Sequence, residues 1–543
     1  MNIKEKTVAL IDSLKTTCQS YGMGNDGNEY KIITQIFLYK FINDKFGYAI
    51  KQISDKLAKA EKWEITYAEM SEIEREDILD ELSADIPKLH PNHLISYLWN
   101  QQAKGDFDLI FDNTMLDIAE TNSAIFATGT TQNTKIALFE TLTNYVTDAT
   151  QRAPFARALV DKLVNFSFEE AFGEHYDFFA SIFEHLIKDY NTAGGGKYAE
   201  YYTPHSIATI MARLLVGNST GLHNIECYDP SAGTGTLLMA LSHQIGEDKC
   251  TIFAQDISQK SNKMLKLNLI LNGMVTSLDH AVQGNTLTEP YHKSDDKQSL
   301  KQFDFIVSNP PFKLDFPDDR EKLLAMPARF WAGVPNVPDK IDPQKPKMAI
   351  YTMFIQHVIN SLKSTGKGAI VIPTGFITAK GGVANKVLKH IIDEKIVYGC
   401  ISMPSNVFAN TGTNVSVLFF DNSKTTEKVV LMDASKMGEE YQDGNNKKRR
   451  LTPTEIDTIV TTFINKEAVD ELSVAVTYDE IIAKKYSLNA GQYFDIKIEY
   501  VDITADEFNA KMATYQLNLA KLFADGDALQ KEIMEQLGKV RYE

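Results

Sequence analysis

Between residues 225 and 420 the chain alternates short β-rich runs with segments long enough for helices, and this pattern restricts its fold more tightly than any other. The runs are Ile225–Tyr228, Thr251–Gln255, Ala281–Gln283, Phe303–Val307, Ala369–Ile372, Tyr398–Ser402 and Val415–Phe420. Strands separated by helix-length segments predict a parallel, doubly wound α/β sheet. The last two runs lie closer together, as an antiparallel edge pair would.

The flanks have a different texture. Residues 1 to about 165 read as mostly helical, and from Tyr30 to Phe46 the apolar positions Ile33, Ile36, Phe37, Phe41 and Ile42 recur at helical spacing. Asn191 to Gly196 is a breaker-rich stretch that precedes Lys197 to His205. At the other end, Thr504 and Glu507 have capping-box spacing. Phe508, Met512, Tyr515, Leu519 and Leu522 follow at steps of four and three, and after a weak point at Gly526 the stripe resumes at Leu529, Ile533 and Leu537. Such a seam suits helix-to-helix packing, within the chain or against a partner. Gly438 to Thr452, with Lys447-Lys448-Arg449-Arg450, reads as a solvated loop, with phosphate contact as the alternative.

A length of 543 residues suits two to four domains. No apolar run approaches the roughly 20 residues a bilayer requires, and Met1 to Ser13 lacks the apolar centre of a signal peptide. A cytoplasmic, non-membrane protein is expected. Cys18, Cys227, Cys250 and Cys400 lie far apart without a C-x-x-C pair, so neither a metal site nor a disulfide framework is expected, and buried thiols are.

Two motifs carry chemistry. In Tyr228-Asp229-Pro230-Ser231-Ala232-Gly233-Thr234-Gly235-Thr236 a strand feeds a glycine-containing turn, and a helix follows. Glycines let the backbone approach a ligand, and the new helix offers free N–H groups. Asp256 ends the next strand, where a carboxylate accepts hydrogen bonds from ribose hydroxyls. The turn shows G-x-G without the longer dinucleotide fingerprint, which favours a nucleoside lacking a pyrophosphate; a tight turn without a ligand is the alternative.

The second motif is Ser308-Asn309-Pro310-Pro311-Phe312, directly after a buried strand. Consecutive prolines cannot donate to a sheet ladder, so the chain leaves the sheet there. The Asn309 amide and the Pro310 carbonyl become fixed acceptors, with the Phe312 ring beside them. Two acceptors that hold the hydrogens of an exocyclic amine favour a tetrahedral nitrogen whose lone pair faces an electrophilic methyl. A base inside a duplex must be flipped out to reach such a pocket. A Pro-Pro loop that merely ends a strand is the bland alternative.

In this order the motifs resemble the γ-class amino-methyltransferases, specifically the modification subunits of type I restriction–modification systems, from about Phe168 to Phe420. The resemblance implies a Rossmann-like, seven-stranded methyltransferase sheet with an N-terminal helical domain and a C-terminal helical tail. It implies adenine-N6 methylation of DNA with S-adenosylmethionine as cofactor. Tyr201, Tyr202, Thr203 and Pro204 would close over the methionine end of that cofactor, with Glu200 and His205 also among its binding residues. Asp229, Ser231, Ala232, Gly233 and Gly235 would line its site, Asp256 would hold the ribose, Asn285 would face the adenine, and Asn309, Pro310, Pro311 and Phe312 would form the target pocket. Arg329-Phe330, Gly333 to Pro335, Phe354 to His357 and Met403 to Phe408 resemble stretches of the same subunits. Ala199, His205 and Asn285 depart from the residues common there, and the last is expected to weaken cofactor binding without abolishing it.

The expected division is a helical domain at 1–165, a catalytic domain at 166–435, an extension at 436–500 and a packing helix at 501–543. The implied partners are double-stranded DNA, a specificity subunit and a restriction subunit, with two modification subunits per specificity subunit. A net charge of −16 is awkward for a DNA enzyme, unless a partner supplies much of the grip. Methylation of protein glutamine or RNA is a rival reading, because such a motif serves those substrates too. A catalytically idle scaffold is another. His357 reads as a satisfied structural histidine, and Trp331 with Lys340 to Lys347 as either a DNA-contacting lid or a solvated insertion.

Overall fold

Successive residues of a strand turn to opposite faces, and in this computed structural model both faces of the main sheet are buried. It describes residues 2–24, 27–83, 85–123, 128–129, 135–136, 139–173, 178, 181–183, 185–186, 203–314, 316–337, 348–408, 414–443, 446–494 and 503–539. Val307, Val371, Val417 and Phe419 enter one apolar core, whereas their neighbours Ile306, Ile370, Ile372, Leu418 and Phe420 enter a second. Period-two alternation with apolar residues on both sides is what a sheet covered by helices on two faces requires.

From residue 225 onward the strands are β1 Ile225–Asp229, β2 Cys250–Asp256, β3 Ala281–Gln283, β4 Phe303–Ser308, β5 Leu362–Pro373, β6 Val397–Ser402 and β7 Val415–Asp421. Each contains one of the seven expected runs. Four more follow: β8 Lys428–Asp433, β9 Glu439–Asp443, β10 Asn446–Arg450 and β11 Ser473–Thr477. The sheet order is β11-β8-β6-β7-β5-β4-β1-β2-β3, which is nine strands where seven were expected. Strand β7 runs antiparallel to both β5 and β6. The antiparallel pairing of β6 with β7 was foreseen, but the pair is not at the edge, because β8 adds parallel to β6 and β11 adds antiparallel to β8.

The polar stretch around residue 445 is not a plain loop. Strands β9 and β10 form an antiparallel hairpin in which Glu440 faces Arg449 and Glu439 faces Arg450. Both arginines are ion-paired across it, at 2.9 and 3.7 Å.

The sheet's direction of growth reverses between β1 and β4. Strands β1, β2 and β3 extend one way, and β4 pairs on the other side of β1. Open α/β sheets bind ligands outside the carboxyl ends of the strands at this reversal. Both chemical motifs follow these two strands.

The N-terminal region is helical, with α1 Ile3–Ser20, α2 Gly27–Ile53, α3 Phe107–Thr121 and α4 Ala149–Val164 as its main elements. All of Ile33, Ile36, Phe37, Phe41 and Ile42 are buried, but so is every other residue from Ile32 to Asn43. Helix α2 is therefore enclosed by its neighbours rather than laid on them by one stripe. Helices α5 His205–Val216, α6 Thr236–Ile245 and α7 Gln259–Leu271 contribute to the core on this side of the sheet. Helices α8 Pro317–Leu324, α9 Tyr351–Asn360 and α10 Gly382–Asp393 contribute to the other. All four cysteines are buried and free.

Residues Met1–Phe494 form one compact unit and Asp495–Glu543 a second. The second contains α11 Ala505–Lys539, a single helix that runs through Gly526 and has no buried residue. Its start is the foreseen capping box: Thr504 Oγ1 accepts from the Glu507 N–H at 3.3 Å, and the Glu507 carboxylate accepts from the Thr504 N–H at 2.9 Å. Among the described residues no helix is long and apolar enough to cross a membrane.

Candidate active site

The glycine turn after β1 is built on left-handed backbone. Gly233 has φ of 52° and Gly235 of 83°, a region that side chains with a Cβ seldom adopt. At Gly235 a Cβ would also stand 2.4 Å from Leu265 Cδ1 of α7, so a larger residue would force that side chain to shift. Gly235 is the residue from which α6 starts. The turn thus brings the backbone close to α7 and leads directly into a helix N-terminus.

Carboxylates hold this turn. Asp256 Oδ2 accepts from the Gly233 N–H at 2.8 Å, and its Oδ1 accepts from the Ser258 N–H at 2.8 Å. Asp229 Oδ1 accepts from the Ser231 N–H at 2.9 Å. Burial pushes the Asp229 carboxyl up to about 8, with the nearby Asp256 adding to the rise. Burial also raises Asp256, against the two N–H groups that favour its charged form. Two buried acids, both pushed towards neutrality at the carboxyl ends of adjacent strands, mark a candidate functional site.

Strand β4 delivers Asn309 next to this turn. Ser308 Oγ lies 2.7 Å from Ser231 Oγ, which ties the ends of β4 and β1 together. Asn309 Nδ2 donates to Thr203 Oγ1 at 3.0 Å, and both residues are buried. Thr203, Asp229, Ser231, Ala232, Thr234, Thr236, Leu237 and Asn309 line one narrow cavity. Pro310 is buried, and Pro311 and Phe312 are half-buried, with Phe312 in contact with both apolar cores.

Thr203 and Pro204 therefore lie at the foot of α5, with His205 as its first residue, and Thr203 reaches Asn309. Glu200, Tyr201 and Tyr202 lie outside the described residues, as do Asn191 to Gly196 and Lys340 to Lys347. Asn285 stands after β3, but its oxygen is already occupied. It accepts from the Leu287 N–H at 3.0 Å and the Thr288 N–H at 3.4 Å, while its nitrogen donates to Asp319 at 3.2 Å. Asn285 shapes its own turn in this arrangement. His357 is buried with both ring nitrogens within bonding distance of Tyr228 and Arg329, which fits its structural reading.

One residue escaped the sequence reading. Ile257, directly after Asp256, is 64% exposed. An apolar side chain held out beside a carboxylate at a strand's carboxyl end suits the face of a planar base. Its only sequence signal is an isolated isoleucine between a strand and the cap residue Ser258. Among the described residues no group of His, Cys, Asp and Glu could hold a metal ion.

A family model described as N-6 DNA Methylase matches residues 174–500, more than half of the chain. The type I restriction enzyme MjaIX methylase subunit of Methanocaldococcus jannaschii is 27% identical over 398 residues, covering 69% of this chain and 66% of that protein. The type I restriction enzyme MpnII methylase subunit of Mycoplasma pneumoniae is 25% identical over 353 residues, covering 63% and 60% respectively. The chain thus spans slightly under two thirds of these two curated relatives. The crystal structure of a type I restriction–modification system methyltransferase subunit from Streptococcus thermophilus matches with a TM-score of 0.72 at 20% identity, covering 90% of this chain and 100% of that one. That likeness is one of fold.

Proposed function

Because the chain belongs to the N-6 DNA methylase family, we propose that it moves the methyl group of S-adenosylmethionine to adenine N6 in DNA, as the modification subunit of a type I restriction–modification complex. A separate specificity subunit chooses the site. The cavity where Thr203, Asp229, Ser231 and Asn309 meet at the reversal of the sheet carries this reading.

The residues present fit the cofactor. Its ammonium and sulfonium are cationic, and the buried, raised Asp229 carboxyl faces this cavity without a basic group among the causes of its shift. Left-handed Gly233 and Gly235 let the backbone come close, Asp256 offers remaining lone pairs to ribose hydroxyls, and Ile257 offers an apolar face to the adenine. When bound, the cofactor supplies an electrophilic methyl group on positive sulfur.

Asn309 Oδ1 and the Pro310 carbonyl accept the two hydrogens of the adenine amine. Thr203 holds the Asn309 nitrogen, which keeps the amide oxygen available for the substrate. The amine nitrogen becomes tetrahedral and its lone pair faces the methyl carbon. The cofactor would supply the methyl group to that nitrogen, and the surplus amine proton would pass by way of the Asn309 oxygen or the Pro310 carbonyl to solvent water. Phe312 stacks on the base, which enters flipped from the duplex. Positioning, rather than a strong base, supplies most of the rate.

The remaining assignments extend this reading. Residues 1–165 form the helical domain, 166–435 the catalytic domain, 436–500 an extension, and 501–543 a helix for packing against other subunits. Its apolar seam from Phe508 to Leu537 is exposed throughout, which suits that role. Two modification subunits join one specificity subunit, and a restriction subunit completes the assembly. A radiolabelled methyl-transfer assay on DNA, RNA and protein, with and without the specificity subunit, tests the whole reading. Label is expected in DNA when the specificity subunit is present. Preferential labelling of RNA or protein would overturn it.

A further inference from the structure

Four buried side chains form a ring of hydrogen bonds behind the cavity. Tyr228 Oη lies 3.1 Å from His357 Nε2. His357 Nδ1 lies 3.1 Å from Arg329 Nε and 2.7 Å from its Nη2. Arg329 Nη1 donates to the Leu287 carbonyl at 2.7 Å, and Nη2 donates to the Thr286 carbonyl at 2.8 Å. Thr286 Oγ1 donates to the Pro230 carbonyl at 2.7 Å. The backbone from Tyr228 through Asp229 to Pro230 closes the ring.

The chemistry of the ring leaves one arrangement. A guanidinium only donates, so His357 Nδ1 must present its lone pair, and the imidazole proton sits on Nε2. Tyr228 Oη then accepts that proton. An imidazolium would point a second N–H at the guanidinium, and burial beside Arg329 indeed holds His357 well below its usual range. Three acceptors at one side chain, His357 Nδ1 and the Leu287 and Thr286 carbonyls, are what the rigid fork of arginine serves and a lysine ammonium does not.

The ring reaches the site through Pro230, whose carbonyl accepts from Thr286 and which stands between Asp229 and Ser231 of the cavity wall. Thr286 follows Asn285 on the loop after β3, and Asp229, the last residue of β1, lies between the ring members Tyr228 and Pro230. We infer that Arg329 and His357 are positioning residues that fix the loop after β3 against the end of β1 and thereby set the affinity for the cofactor. This inference rests on the cofactor reading above. The loop carrying Arg329 has its own anchors on α9: Asn360 Nδ2 donates to the Arg329 carbonyl at 2.9 Å, and Gln356 Oε1 accepts from the Ala332 N–H at 2.8 Å. Changing the guanidinium therefore leaves the loop tethered.

The test compares the full chain with Arg329→Lys, Tyr228→Phe and Thr286→Val. Tyr228→Phe and Thr286→Val open the ring at its two far ends without touching Arg329. S-adenosylmethionine binding is read by calorimetry, and KM and kcat are read in the assembled complex at saturating DNA. Arg329→Lys is expected to raise Kd and the cofactor KM about tenfold, as loss of hydrogen bonds made by a charged donor does, with kcat nearly unchanged. The two ring-opening variants shift KM in the same direction by less. Folded variants that bind as the parent does overturn the inference, as does an equal fall in kcat and in kcat/KM with KM unchanged. If Arg329→Lys does not fold, the two other variants decide. A parent chain that fails to bind at all overturns the cofactor reading, and this inference with it.

Discussion

The Asn309 side-chain nitrogen donates to the Thr203 hydroxyl at 3.0 Å in a buried contact that joins segments 106 residues apart. An asparagine amide can present either end to a substrate, and in this arrangement it is the nitrogen that is turned to Thr203. Asn309→Ala should abolish methyl transfer, a loss of at least about 10²–10³ in kcat, because a preorganised polar contact to the reacting group disappears. Assembly with the specificity subunit should persist. Thr203→Val should lower kcat by a smaller factor, and Thr203→Ser should restore it. Steady-state methylation of a DNA duplex measures all three, and full activity in Thr203→Val would show that the amide needs no such clamp.

Cofactor binding should release a proton. The Asp229 carboxyl sits at about 8 in the ligand-free chain, so at neutral pH it is largely protonated. A cation beside it favours the charged form, so ligand and proton compete. Affinity should therefore rise as pH increases from 6 towards 8, by up to about tenfold per unit, and level off above. Calorimetry in buffers of different ionisation enthalpy reads the released proton directly. Asp229→Asn should flatten the profile, and an unchanged slope in that variant would remove Asp229 from the linkage.

The same shift bears on stability. The folded value lies above the unfolded one, so between roughly pH 4 and 8 the folded chain binds more protons at this site than the unfolded chain does. Stability from this group is accordingly present at low pH and lost as pH rises through the folded value. Asp229→Asn removes the burden and should raise the melting temperature at pH 8 more than at pH 5, while costing cofactor affinity. Thermal melts at the two pH values check it, and a larger gain at pH 5 would contradict the sign.

Gly235→Ala should damage both fold and site. It imposes a Cβ at φ of 83° and 2.4 Å from Leu265 Cδ1, which together cost about 1–3 kcal/mol. Adding Leu265→Ala relieves the clash but not the backbone strain, so it should recover only part of the cofactor affinity. Full recovery in the double variant would assign the whole effect to crowding.

Much of this was legible from residue order. Each of the seven β-rich runs became a strand, because alternating apolar residues and intervening helices leave a chain few other ways to bury both faces. The placement of Asn309 followed from consecutive prolines that cannot stay in a sheet. Long-range pairing was not legible. Strands β8 and β11 add to the sheet through partners far away in sequence, and the hairpin of β9 and β10 looked like loop because charge pairing across strands leaves no apolar alternation. The Asn285 oxygen could serve a ligand on paper, but the N–H groups of Leu287 and Thr288 claim it locally. Arg329 and His357 were visible only as separate stretches, since a ring of hydrogen bonds is a property of the folded chain.

The chain alone should grip DNA poorly. It carries a net charge of −16, and two of its most concentrated basic residues, Arg449 and Arg450, are spent on Glu440 and Glu439 across a hairpin. Each phosphate contact contributes to the steepness with which DNA affinity falls as salt rises. The isolated chain should therefore show weak binding with a shallow salt dependence, together with ordinary cofactor binding. Adding the specificity subunit should tighten DNA binding, steepen the salt slope and switch on methylation at defined sites. A chain ending at Ile503, which lacks the exposed helix α11, should bind cofactor with stability changed by less than about 0.5 kcal/mol, because no residue of that helix is buried. It should fail to assemble with the specificity subunit, and so should stay inactive on DNA. Fluorescence anisotropy across a salt series, paired with methylation rates, measures both effects. Robust sequence-specific methylation by the isolated chain would sink the idea that DNA recognition is delegated to a partner.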